Sequence, residues 1–143
     1  MTAVSPLEFV HKKGLFGDHH RKNESDLIKI SEIKDLTIFQ IVQYKKSQIA
    51  KIDIDGIKFT EQSSKVEFNE KTRILWSAPR TWIVSSKKEN INQTIKEKFD
   101  TKDFALTDIS HSRAVIQIKG IDASEILKKG CPINFSELKK NNC

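Results

Sequence analysis

Residues 73–85 read RILWSAPRTWIVS and form the clearest local structural pattern in the sequence. Two apolar runs flank Pro79, whose ring pre-sets φ for the second position of a type I turn. Both runs are rich in β-branched and aromatic residues, which favour strands. Because each run is apolar on both faces, we predict a β-hairpin near the centre of a sheet.

Strand patterns continue on either side of this hairpin. The further predicted strands cover residues 37–44, 49–55, 65–68 and 113–119. The second of these alternates apolar and charged side chains, which is the period of a half-buried strand. The third is short and is predicted at a sheet edge, and the last carries Ala114, Ile116 and Ile118 on one face.

Helical patterns are fewer, and the predicted helices cover residues 25–33, 89–99 and 122–130. In the second helix, Ile91, Ile95 and Phe99 recur every four residues on one face. In the third, Asp122 and Glu125 have the spacing of a capping box. Since the helices are separate from the run of strands, we predict an α+β fold with a mostly antiparallel sheet and packed helices.

The domain organisation follows from length and composition. The 143 residues suit one hydrophobic core. We interpret residues 1–23 as an irregular N-terminal arm and residues 24–143 as a single α+β domain. The sequence has no secretory apolar region and no run of 18 apolar residues, so we expect a cytoplasmic protein. Cys131 is interpreted as a buried, inert thiol, and Cys143 as an exposed one.

The basic composition raises the question of a nucleic-acid partner. The net charge is +6, but only four basic residues are arginine, and the lysines are spread along the whole chain. Stacking platforms of aromatic residues interleaved with arginine are lacking. We therefore disfavour a nucleic-acid-binding module, whose affinity would fall steeply with salt.

No catalytic or metal site is predicted within this chain. Residues 108–113 (DISHSR) contain Asp, Ser and His, but a hydrolase triad gathers these groups from distant segments. We interpret the stretch as a polar turn in which Asp108 or Ser110 bonds nearby backbone N–H groups. The four histidines lack the paired spacing of a structural zinc site. Trp76 and Trp82 are interpreted as a core aromatic pair, with an interface anchor or a ligand platform as the alternatives.

Three motifs follow one another in a defined order. They are LWSAPRTWIV (75–84), TDISHSRAVI (107–116) and GCPIN (130–134). In order and spacing they resemble the gamma subunit of heterotetrameric sarcosine oxidase. The segment that begins with DISH is also similar to a part of the glycine-cleavage aminomethyltransferases. The resemblance therefore implies an aminomethyltransferase-like α+β domain.

The resemblance implies a structural role in a larger enzyme. Such a complex oxidatively demethylates sarcosine to glycine, hydrogen peroxide and a folate-bound one-carbon unit. FAD, FMN, NAD and tetrahydrofolate are then expected on the alpha, beta and delta subunits, and none on this chain alone. No position matches the aminomethyltransferases' catalytic carboxylate. We choose Ser110, His111 and Arg113, with the arm, as the candidate partner interface, and Arg113 as its polar anchor.

Two alternatives stay open. The family's chains continue beyond the Gly-Cys-Pro motif, so we expect either a chain that lacks the family's C-terminal portion or a sheet edge covered by a partner or second copy. A homodimer is the assembly expected of the isolated chain in the second case. The alternative function is a free-standing tetrahydrofolate-binding, aminomethyltransferase-like protein, which needs a concave site with a carboxylate for the pterin.

Overall fold

The computed structural model describes residues 5–142, which form two compact units. Unit 1 contains residues 5–34 and 111–138, and unit 2 contains residues 35–110 and 139–142. Residues of the predicted domain 24–143 therefore fall in both units. The division into an arm over 1–23 and one domain after it stays a prediction, and the expected exposure of Cys143 lies outside the described residues.

The fold is α+β, with mainly antiparallel sheets and two helices in the described range. Its strands are β1 Lys29–Ile33, β2 Thr37–Gln43, β3 Asp53–Ile54, β4 Ile57–Lys58, β5 Val66–Phe68, β6 Thr72–Ala78, β7 Thr81–Ser86, β8 Phe104–Asp108 and β9 Val115–Lys119. Its helices are α1 Ile91–Lys98 and α2 Ala123–Gly130, with short 3-10 turns at Glu24–Asp26 and Ser110–Ser112. Neither α-helix has the length and apolarity needed to cross a membrane.

A five-stranded antiparallel sheet forms unit 2, in the order β5-β6-β7-β2-β8. The predicted hairpin is confirmed as β6 and β7, and β7 is the middle strand. The predicted type I turn is wrong, because Arg80 has φ +58° and the corresponding residue of a type I turn has negative φ. Trp76 lies directly opposite Trp82 across the hairpin.

The hydrophobic core of unit 2 lies between this sheet and α1. Ile91, Ile95 and Phe99 are fully buried in it, which confirms the predicted second helix. Trp82 is also buried, and its indole N–H donates to the Thr60 carbonyl at 2.7 Å. The predicted core pair is thus confirmed for Trp82, whereas Trp76 is partly buried against the core.

Two further strand predictions in unit 2 have different outcomes. The edge strand is confirmed as β5, whose Val66 N–H donates to the Asn141 carbonyl at 2.9 Å. The strand predicted over 49–55 is wrong for most of its length, because pairing covers only β3 and β4. Asp55 and Gly56 have φ of 54° and 77°, the left-handed values of a two-residue hairpin turn, and this turn ends β3.

Unit 1 is an antiparallel ribbon of β1 and β9 with the helix α2. Lys29 pairs with Lys119 at one end, and Ile33 pairs with Val115 at the other. The helix predicted over 25–33 is therefore wrong. The isoleucines of this stretch are compatible with a helix or with a strand. The stretch is a strand because it pairs with β9, far along the chain.

The predicted third helix is confirmed as α2, but its predicted N-terminal capping is not formed. Asp122 is the N-cap residue, but its side chain makes no capping hydrogen bond. Glu125 instead contacts Lys128 at 2.6 Å, so the predicted capping box is not formed. Cys131 follows the helix and is exposed, so its interpretation as a buried thiol is wrong. Cys131 is exposed because α2, the helix that it follows, has no buried residue and shields little of the neighbouring chain from solvent.

Candidate interaction surface

Exposed apolar side chains are concentrated in unit 1. Among the described residues, the exposed large hydrophobic side chains of unit 1 are Phe9, Val10, Leu15, Phe16, Ile30, Ile116, Ile121, Ile126, Ile133 and Leu138. Those of unit 2 are Tyr44 and Ile49, while every hydrophobic residue found buried within residues 5–142 belongs to unit 2. Extended apolar surface of this kind marks interaction sites in folded proteins.

One face of the β1–β9 ribbon carries a cluster of these residues. Ile30 pairs with Ile118, and Glu32 pairs with Ile116, so the four side chains lie on the same face. Together with the turn that holds Leu7 and Val10, this face borders a cavity of about 200 Å³. We call it the Glu32 cavity, and its lining residues are Leu7, Val10, His11, Ile30, Ser31, Glu32 and Ile116.

Glu32 is the charged group of this cavity. Its side chain is only 7% exposed. One carboxylate oxygen accepts a hydrogen bond from the Ser5 hydroxyl, which in turn accepts from the Leu7 N–H at 3.0 Å. The other oxygen lies 4.0 Å from Lys34 Nζ. These contacts hold the N-terminal turn against β1.

A second cavity of unit 1, of about 610 Å³, lies beside the predicted arm. Its lysines are matched in number by carboxylates. The charged residues of its lining are Lys12, Lys13, Lys22, Asp18, Asp26 and Asp122, with His11 and His19 beside them. Its apolar lining comes from Leu15, Phe16, Leu27, Ile28, Ile30 and Ile126. With neutral histidines the formal charges balance, so the lining favours neither a cationic nor an anionic ligand.

The predicted interface residues lie at or beside the 3-10 turn Ser110–Ser112. Ser110 Oγ accepts from the Ile38 N–H at 2.9 Å and lies 2.6 Å from Asp108 Oδ1, while the Ser110 N–H donates to that same oxygen at 3.0 Å. The polar-turn interpretation is thus confirmed. His111 and Arg113 are exposed. Contact with a partner at these three residues stays a prediction.

The most polar cluster of unit 2 surrounds Asp55. One carboxylate oxygen accepts from Asn69 and Thr72, each at 3.0 Å, and the other accepts from Lys88 at 2.5 Å. The Asn69 hydrogen bond, followed by that of Lys88, lowers the pKa of Asp55 to about 2. Thr72 also contacts the buried Ser86 hydroxyl at 2.8 Å. The cluster ties the β3–β4 hairpin to the sheet, which is a structural role.

Within residues 5–142 no group of three or more His, Cys, Asp or Glu residues is arranged to hold a metal ion.

Sequence reasoning missed the Glu32 cavity. The cavity depends on a strand at 29–33, where Glu32 follows Ile30 on the same face, and a helical interpretation of that stretch hides this relation. Period-two spacing of Ile30 and Glu32 was the available signal.

Comparisons with known proteins give a fold relationship. No protein-family model matches the chain, and no curated protein matches it. Among solved structures, it is similar to a chain of the heterotetrameric sarcosine oxidase from Corynebacterium sp. U-96 in complex with pyrrole 2-carboxylate. The TM-score is 0.65 at 18% identity, over 78% of this chain and 60% of that chain. The chain therefore shares, over the portion that is covered, the fold of a chain of heterotetrameric sarcosine oxidase.

Proposed function

We propose that this chain is a non-catalytic structural subunit of a sarcosine oxidase-type complex, in the place of its gamma subunit. The observation that carries the proposal is the likeness of fold, with a TM-score of 0.65, to a chain of such a heterotetramer. The apolar surface of unit 1 supports it independently, because a subunit of a permanent complex presents such a surface to its partners.

In this proposal the other subunits of the complex carry out the reaction, and this chain has a structural role. It oxidatively demethylates sarcosine to glycine and hydrogen peroxide, and it transfers the one-carbon unit to tetrahydrofolate. FAD, FMN, NAD and tetrahydrofolate belong, in this proposal, to the alpha, beta and delta subunits. The aminomethyltransferase-like character of the domain is part of the same proposal and follows from the resemblance of residues 108–127.

The interface is proposed to include the N-terminal arm and the turn at Ser110, His111 and Arg113. The exposed Arg113 suits an anchor, because arginine is enriched among residues that dominate interface energy. The exposed Phe9 and Phe16 of the arm offer the apolar part of such a contact.

Purification of the tagged full chain from its own cells tests the proposal. Flavin-containing subunits that co-purify in a constant ratio and show sarcosine-dependent hydrogen peroxide formation support it. Arg113→Ala should reduce the amount of the flavin-containing subunits that co-purifies. Lys96→Ala, on the solvent-exposed face of α1, should leave that amount unchanged. Recovery of the chain alone, as a monomer or a homodimer, contradicts the proposal.

The second candidate is a free-standing tetrahydrofolate-binding protein of the aminomethyltransferase type. The observation in its favour is the cavity of about 610 Å³ in unit 1, which falls within the usual range of small-molecule sites. Calorimetric titration of the isolated chain with tetrahydrofolate separates the two candidates. Saturable binding favours the second one, and the absence of heat across a millimolar range removes it.

A further inference from the structure

We infer that two copies of this chain pair through unit 1, with Phe9 of each copy inserted into the Glu32 cavity of the other. Such pairing goes beyond the proposed function, which concerns contacts with different subunits. The features that carry it are an apolar cavity, an exposed aromatic ring in the turn that borders this cavity, and the fit of the ring to the cavity. All of them lie within unit 1.

The Glu32 cavity has aliphatic walls. They are formed by Leu7 and Val10 of the N-terminal turn and by Ile30 and Ile116 of the ribbon. The surface of the cavity is apolar almost throughout, so it favours a hydrocarbon group over an ion. Val10, Ile30 and Ile116 are 69%, 55% and 52% exposed, which leaves the cavity accessible to a side chain from outside.

The volume of the cavity matches a phenyl ring. Aliphatic cavities of about 150 Å³ in protein interiors bind benzene, and the Glu32 cavity has about 200 Å³. The additional space allows for the methylene group that joins the ring of a phenylalanine to its backbone. A phenylalanine side chain therefore fits the cavity in size as well as in polarity.

Phe9 is the exposed ring next to this cavity. It lies in the N-terminal turn, where the Leu7 carbonyl accepts from the Val10 N–H at 3.0 Å and from the His11 N–H at 2.8 Å. These bonds give the turn a helical form, in which residues three and four apart share a side. The three residues joined by these bonds therefore line the cavity, whereas Phe9 does not and is 94% exposed.

A second copy is the partner that carries this ring. Phe9 makes almost no contact with its own chain, and the walls of the cavity include its near neighbours Leu7 and Val10. Because ring and cavity lie so close together on one surface, a two-fold rotation can bring each ring to the cavity of the other copy. Each pair then contains the contact twice, so the apolar area removed from water is doubled.

Pairing through two rings and a small apolar rim is expected to be weak. Stable interfaces bury about 800 Å² per partner, whereas a buried aromatic side chain accounts for about 150–250 Å². We therefore expect a dissociation constant in the micromolar to millimolar range. Monomers then prevail at the dilution of a cell extract, so this pairing does not conflict with recovery of the chain in a larger complex.

The charge of the chain gives the pairing a characteristic salt dependence. The net charge of +6 opposes the approach of two copies. Added salt screens this repulsion, and it does not weaken contacts between apolar groups. Pairing should therefore tighten as the salt concentration rises, which is the opposite of the dependence expected for association through opposite charges.

Sedimentation equilibrium of the full chain, up to millimolar concentration and at low and high salt, tests the pairing. A reducing agent keeps the exposed Cys131 from forming a covalent dimer. Phe9→Ser removes the ring, and Val10→Lys places a charge on the cavity wall; both positions are exposed, so the fold should tolerate the changes. Phe16→Ser is the matched control, because that ring is 69% exposed in the same arm but does not line the Glu32 cavity.

The unchanged chain should show a monomer–dimer equilibrium that stops at the dimer and tightens with salt. Phe9→Ser and Val10→Lys should each weaken pairing by more than about tenfold, since each removes both insertions. Phe16→Ser should change it by less than about twofold. An equimolar mixture of Phe9→Ser with Val10→Lys should pair more tightly than either variant alone, because the ring of one variant meets the intact cavity of the other.

Several results would overturn the inference. One is a chain that stays monomeric up to millimolar concentration at both salt concentrations. Another is association that Phe9→Ser leaves unchanged or that Phe16→Ser weakens equally. Association that continues beyond the dimer contradicts the reciprocal arrangement, and a mixture that pairs no more tightly than the single variants contradicts insertion of the ring into the cavity.

Discussion

Unit 1 and unit 2 distribute their apolar residues in opposite ways. Unit 2 encloses Ile41, Ile74, Trp82 and the apolar face of α1 almost completely, while unit 1 leaves Phe9, Phe16 and most of its isoleucines in contact with solvent. Both units use antiparallel strands and one helix of eight residues. The difference lies in strand number, because a five-stranded sheet can cover a helix and a two-stranded ribbon cannot.

This contrast shows that apolar composition alone does not make a core. β1 and β9 both carry aliphatic side chains. In the described part of unit 1, however, no second layer of structure packs against these strands. We therefore expect unit 2 to supply most of the intrinsic stability and unit 1 to depend on what covers it. Substitutions in each unit test this division.

The largest effect is expected from Trp82→Ala in unit 2. The substitution removes a fully buried indole and leaves the Thr60 carbonyl without its donor at 2.7 Å. It should lower the free energy of unfolding by about 3–5 kcal/mol. Ile116→Ala in unit 1 should cost under about 1 kcal/mol, because that side chain is 52% exposed. Urea unfolding followed by far-ultraviolet circular dichroism measures both, and similar losses would contradict the division.

Gly120→Ala should damage unit 1 selectively. Gly120 has φ +140°, and an added Cβ would meet the Leu27 carbonyl oxygen at 3.1 Å and Ile28 Cα at 3.2 Å. Strain and contact together should cost about 1–3 kcal/mol. Hydrogen exchange at the amides of β1 and β9 should accelerate, while that of β7 should not. Gly17→Ala is the matched control, since its φ is +76° but its Cβ meets nothing within 4 Å. Equal acceleration by both substitutions would show that the close contact is unimportant.

Asp55→Asn should make unit 2 less dependent on pH. The folded pKa of Asp55 is lowered from 3.8 to about 2, so its ionised form stabilises the fold above pH 4 and this stabilisation is lost as the pH falls through about 2. At neutral pH the substitution should cost about 1–2 kcal/mol, since the carboxylate is partly hydrated.

The difference in unfolding free energy between Asp55→Asn and the unchanged chain should shrink as the pH falls from 5 toward 2. Urea unfolding at several pH values measures it. Asp53→Asn is the control, because Asp53 contacts Lys98 at 2.7 Å with half of its side chain exposed. A difference that stays constant with pH would contradict the cause given for the lowered pKa.

The smallest effect on stability is expected from Phe9→Ser. Phe9 is 94% exposed, so the free energy of unfolding should change by less than about 0.5 kcal/mol. Fluorescence of the dye anilinonaphthalene sulfonate should fall, because an exposed apolar group that binds the dye is removed. Ile49→Ser in unit 2, at 40% exposure, should change the fluorescence less. The opposite order would place the main apolar surface in unit 2.

The sequence predicted unit 2 better than unit 1, for a physical reason. The hairpin around Pro79 and the helix at Ile91 are fixed by neighbours in sequence, so local patterns are sufficient. β1 exists because of its pairing with β9, and no local pattern of residues 25–33 reveals that partner. The Glu32 cavity depends on this pairing and was missed with it. The polar turn at Ser110 is local, and it was predicted correctly.

The pairing of Ile33 with Val115 has a consequence for synthesis of the chain. Translation delivers β1 first and β9 only after residues 34–114 have been made. The sheet and the helix α1 of unit 2 can therefore assemble on the ribosome while β1 still waits for its partner. Closing so long a loop is slow, and β1 keeps unpaired edges during that interval. A chaperone or an early-binding partner would meet the nascent chain at Lys29–Ile33 before any other strand.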